Sequence, residues 1–149
     1  MGANDTIIGI RYKGVRGWLL WFCIALTILM PLITSFKLVS LYIQLYPFFN
    51  TFPPLLVIFI VDFVLSIGLT VFSIYTGIAL WRIRPKAVKI AMTFLWVYLG
   101  YSILISLLPL LVGLPLPTEV AERIVLAMLS FAVWYSYLVY SKRVKATYE

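Results

Sequence analysis

Asp62, Lys37 and Arg123 are the residues whose types and positions most invite chemistry, because each stands inside or at the edge of a long apolar run. Lys37 is 21 residues beyond Arg16, Asp62 is 20 before Arg82, and Arg123 is 19 before Lys142. At about 1.5 Å per helical residue, these counts set all three roughly 28–32 Å from a belt of basic residues. They share a depth. Each also caps a seam of small or polar residues. Asp62, Ser66, Thr70, Ser73 and Gly77 recur at spacings of 4, 4, 3 and 4, which is one helical face. Cys23, Thr27, Met30, Thr34 and Lys37 follow the same rule, as do Arg123, Ala127, Ser130, Trp134, Tyr137 and Ser141. Two readings fit these seams. They are the close-packed, hydrogen-bonding faces through which membrane helices associate, with Asp62 neutralised by Lys37 or Arg123. Alternatively, they line a wet cavity with the three charges at its mouth.

The rest of the inventory narrows the chemistry. There is no histidine, and Cys23 is the one cysteine, so disulfide exchange, haem ligation and zinc chemistry lack their usual groups. Hydroxyl nucleophiles are plentiful, but no histidine can serve as their base. The expectation is a chain that is not an enzyme and needs no cofactor or metal.

The elements that would position these residues follow from hydropathy. The chain is 64% hydrophobic and 11% charged, against roughly 45–50% and about 25% for an ordinary soluble domain. Four runs reach the ~20 residues that cross a bilayer. The predicted fold is all-α, a polytopic four-helix bundle forming one membrane domain over residues 1–149, with spans at about 17–36, 55–81, 87–111 and 118–140. The first run is too long for a signal-peptide core and no small-residue cleavage site follows it. Only Arg82-Ile83-Arg84-Pro85-Lys86 separates the second and third spans, with Pro85 suited to a first helical turn, so these two must be antiparallel neighbours. Thr118 is placed to cap the fourth span, with Glu119 and Glu122 near the positive end of its dipole. The aromatic stretch Leu38–Pro54 reads as a loop lying in the membrane interface, either anchoring helix ends or covering a cavity.

Orientation follows from charge. Ten of the twelve Lys and Arg flank one side: Arg11, Lys13 and Arg16; Arg82, Arg84, Lys86 and Lys89; and Lys142, Arg143 and Lys145. Only Lys37 and Arg123 fall on the other. Positive charge is retained in the cytoplasm, so both termini are expected there, with Trp18, Trp21 and Trp81 in the inner aromatic belt. The net charge of +7 sits in clusters beside apolar runs and not along one soluble face, which argues for anionic lipid head groups as partners and against nucleic acid.

Lys13-Gly14-Val15-Arg16-Gly17-Trp18-Leu19-Leu20 and Ser141-Lys142-Arg143-Val144-Lys145-Ala146-Thr147-Tyr148 resemble the signatures of a bacterial inner-membrane family catalogued as domain of unknown function 2569. Tyr148 departs from the phenylalanine expected there. The resemblance implies a bacterial cytoplasmic-membrane protein with four helices, and it brings no activity. The functional expectation is therefore a non-enzymatic helper, regulator or assembly component that works by helix packing, as a homo-oligomer or within a larger membrane complex. The alternative is a small-solute transporter or ligand-binding protein using Asp62 at an outward-facing polar cavity.

Overall fold

Proline marks several of the places where these helices start or depart from α geometry, because it lacks an N–H and its ring crowds the carbonyl four residues back. A computed structural model describes residues 17–84, 86–115 and 118–148. Helix α1 spans Trp18–Phe48, α2 Pro53–Trp81, α3 Ala87–Leu111 and α4 Val120–Tyr140, and all four are long and apolar enough to cross a membrane. A short α5, Lys142–Tyr148, follows Ser141. Among the described residues there is no β-strand.

Pro31 shapes α1. Just before it the helix widens into a π turn, Ala25–Leu29, in which the Met30 N–H bonds to the Ala25 carbonyl, five residues back. The Leu26 carbonyl thereby loses its ordinary α-helical donor, and Pro31 has none to offer in the π register. Ser73 on α2 supplies one, its hydroxyl donating to Leu26 O at 2.7 Å. One turn on, Gly77 lets α2 approach so closely that a Cβ there would collide with the Thr27 side chain. A sequence-imposed defect in one helix is thus repaired by its neighbour, which fixes their register.

The first span does not end at 36. It remains α-helical to Leu45 and turns over through a 3₁₀ segment, Tyr46–Phe48, which corrects the expectation of an interfacial loop from Leu38. Lys37 had suggested a helix end, but a single charge does not stop a backbone. No breaker occurs until Pro47. Tyr42, Tyr46, Phe49 and Phe59 then gather at the α1–α2 connection, with ring centroids 5.5–6.3 Å apart. The start of α4 also differs, since its N-cap is Glu119 and no side chain caps it. The Glu119 carboxylate instead holds Arg123, one turn on.

Helices α2 and α3 form the expected antiparallel hairpin: Phe72 meets Phe94 at one level and Ser66 meets Tyr101 at another. Both end in the same hydrogen-bonded stop. Arg84 N–H reaches Ala79 O and Ile83 N–H reaches Leu80 O, as Leu114 N–H reaches Pro109 O and Gly113 N–H reaches Leu110 O. The left-handed residue is Gly113 in one case and Ile83 in the other, at φ 74° and 47°. Pro85, expected in the first turn of α3, lies outside the described residues, and α3 begins at Ala87 with Lys86 as its N-cap.

Packing is uneven along the bundle. Leu19, Phe22, Cys23, Leu26, Leu80, Ala91, Phe94 and Leu138 form a buried core toward the end that carries Arg82, Lys86, Lys89 and Lys142, here called the basic end. There α1 meets α4 through Phe22 stacked on Trp134, centroids 4.5 Å apart. Farther along, α4 stays on α3, with Trp96 against Phe131, and stands away from α1.

Candidate functional site

At the opposite end, Asp62 projects from α2 and is only 2% exposed. Lys37 on α1 places its ammonium 2.9 Å from both carboxylate oxygens. Tyr101 on α3 donates its phenol to Oδ1 at 2.5 Å. Ser66, one turn along α2, lies 3.3 Å from the same oxygen and 2.8 Å from the Tyr101 hydroxyl. Lys37 also donates to that hydroxyl, at 2.7 Å, and its ammonium sits 5.3 Å from the Tyr101 ring centre.

The protons can be assigned. Tyr101 gives its one proton to Asp62, so its oxygen accepts from Lys37 and Ser66. The result is a neutral, saturated network: one negative charge, one positive charge and two hydroxyls drawn from three helices. Among the described residues, every buried side-chain nitrogen and oxygen has a hydrogen-bond partner. That completeness matters because an unpaired carboxylate facing hydrocarbon is costly. The Lys37 side chain is 41% exposed while that of Asp62 is 2% exposed, so the pair is uncovered on the Lys37 side alone.

Of the three residues matched by depth, Lys37 and Asp62 meet and Arg123 does not. Arg123, the other partner that depth allows, bonds Glu119 at 3.0 Å instead, and both side chains are mostly exposed. The reason is azimuth. Depth along a helix does not say which helices face each other, and α4 packs on α3 with its polar seam turned toward a gap. Tyr101 was not singled out in the sequence. The available signal was a tyrosine far from either helix end, since a buried phenol needs a partner.

The α2 seam lies on one inward face. Thr70 donates to Ser66 O at 2.8 Å and Ser73 to Leu26 O, while Gly77 admits Thr27. The α4 seam is less buried: Ala127 is covered, Ser130 is exposed, and Tyr137 meets Trp134 edge-on at 6.2 Å. Two cavities that touch both Lys37 and Tyr101 adjoin the network. One of about 150 Å³ lies between Thr34, Lys37, Ser66, Thr70, Ser73 and Tyr101. A larger cleft of about 560 Å³ opens between α1, α3 and α4, lined by Lys37, Tyr101, Ser102, Ser106, Arg123 and Ser130. They share Lys37, Tyr98 and Tyr101.

Of the basic tail, Lys142 and Lys145 stand exposed on α5, and the Arg143 side chain lies outside what is described. Arg11, Lys13 and Arg16 also lie outside the described residues. Tyr148 closes α5 against the bundle by donating to Leu80 O at 2.7 Å, beside buried Val144. Its departure from phenylalanine therefore adds a hydrogen bond. Among the described residues, no group of three His, Cys, Asp or Glu side chains gathers as a metal site would.

Over residues 12–149 the chain matches the family described as Protein of unknown function (DUF2569). No curated protein and no solved structure matches it.

Proposed function

Since the chain belongs to this family of unknown function, we propose a role that its own geometry supports: a non-enzymatic component of a bacterial inner membrane that works by helix packing. Both termini face the cytoplasm in this reading, and the ten-to-two charge bias supports that orientation. The observation that carries the proposal is the contrast between the saturated Asp62 network and the cleft beside it. The network ties α1, α2 and α3 into a frame, whereas Arg123 and Ser130 of α4 face Ser102 and Ser106 of α3 across an unfilled cleft. Hydroxylated and small residues on an unfilled helix face are what a transmembrane segment of another subunit packs against.

The test is purification from native membranes in mild detergent, comparing the wild type with Ser106→Trp and Ser130→Trp. The expected result is a membrane-protein partner in fixed stoichiometry with the wild type, lost in both variants while their thermal unfolding is unchanged. Retention of that partner with the cleft filled would refute the proposal.

A second reading has one observation in its favour. The two cavities meet at Lys37 and Tyr101, so a small solute entering the cleft would touch the Asp62 network and could be bound or carried there. Solute flux into proteoliposomes that is abolished by Asp62→Asn would select this reading over the first.

A further inference from the structure

A third cavity, of about 470 Å³, lies at the basic end, away from Asp62. Its rim carries Lys86, Lys89 and Lys145, its wall is apolar, and among the described residues no Asp or Glu lines it. Three elements build it: the start of α3, the end of α4 and the short α5 folded back across them. We propose that this cavity is a site for one anionic phospholipid, its phosphate held among the three lysines and the upper part of an acyl chain lying along Val139, Met92 and Val144.

Three features point to that occupant. A free anion would use the lysines but leave the apolar wall unexplained, and a neutral acyl chain would do the reverse. An anionic lipid uses both, and the cavity lies where helices long enough to cross a membrane come to an end, the level at which head groups sit. Lys86 is also held in a left-handed conformation, φ 72°, as the N-cap of α3. Only glycine adopts this conformation freely, and a lysine kept there puts its charge at the positive end of a 25-residue helix, which already favours an anion.

The test is native mass spectrometry of the full-length protein, stripped of lipid and titrated with dioleoylphosphatidylglycerol or dioleoylphosphatidylcholine. One phosphatidylglycerol is expected to bind in preference to phosphatidylcholine. Combined Lys86→Gln, Lys89→Gln and Lys145→Gln substitutions should weaken that binding at least about tenfold. Combined Arg82→Gln, Arg84→Gln and Lys142→Gln substitutions remove equal charge outside the lining and should weaken it much less. Val139→Trp, which fills the cavity without touching charge, should abolish the single bound lipid, with unfolding temperatures confirming that each variant is folded. Equal losses from the two charge sets would mean general attraction to anionic surfaces and would overturn the site. So would equal binding of the zwitterionic lipid, or displacement of the lipid by millimolar inorganic phosphate or an acidic peptide.

Discussion

At the basic end Leu19, Phe22, Cys23, Leu26, Leu80, Phe94 and Leu138 fill the space between helices with apolar atoms, whereas at the opposite end one ion pair and two hydroxyls span it. Many weak contacts share the load in the first region, so no single side chain decides it. Lipid tails are as apolar as these side chains, and their packing is favoured mainly by close fit. In the second region a few directional bonds must all be made at once, and losing one strands the others in a poorly hydrated place. The lesson is that the polar end is more specific and more fragile, and that the gap between α1 and α4 opens where apolar packing gives out.

The largest expected effect comes from breaking the polar end unevenly. Lys37→Met strands an almost fully buried carboxylate and should lower stability by about 3–5 kcal/mol, read as a fall in unfolding temperature in detergent. Asp62→Asn should cost less, because Lys37 is partly exposed and can turn its charge outward. Equal losses from the two would show that Asp62 is better hydrated than its burial implies.

Next is the seam that joins the two regions. Ser73→Ala leaves the Leu26 carbonyl without its donor and should cost about 1 kcal/mol. Gly77→Leu drives a side chain into Thr27, whose hydroxyl is already committed to Cys23 O, and should cost about 1–3 kcal/mol. Cysteine cross-linking between α1 and α2 would show whether the lost stability reflects helix separation.

How far the sequence reached is clearest at these residues. Four spans, the α2–α3 hairpin and the common depth of Lys37 and Asp62 were legible, because periodicity, loop length and rise per residue are properties of one chain segment at a time. The choice of Lys37 over Arg123 was not, since it depends on which faces of separate helices meet. Nor was Tyr101, which carries no formal charge to mark it. The extension of α1 to Leu45 was hidden by Lys37 and a run of aromatics that read as an end. The Leu26–Ser73 bond was hidden because it follows from a backbone defect set up by Pro31.

Smaller effects are expected at the basic end. Tyr148→Phe should cost about 1 kcal/mol by removing one hydrogen bond to Leu80. Burial raises the Tyr148 phenol above its ordinary value, with the Cys23 thiol and Tyr137 adding to the effect. A raised pKa in the folded state means that this stability is fully present below about pH 10 and is lost as pH climbs toward the folded value. The alkaline loss should therefore be smaller in Tyr148→Phe. Ile83→Gly should act the other way. It relieves a β-branched residue held at φ 47° and should stabilise by about 1 kcal/mol.

The central claim is that Asp62 is paired across helices with Lys37 and not with Arg123, and a pair of double-mutant cycles in detergent tests it most directly. Asp62→Asn combined with Lys37→Met should restore at least about 2 kcal/mol relative to the sum of the single losses, while Asp62→Asn combined with Arg123→Gln should be additive within about 0.5 kcal/mol. Coupling to Arg123 with additivity at Lys37 would contradict it.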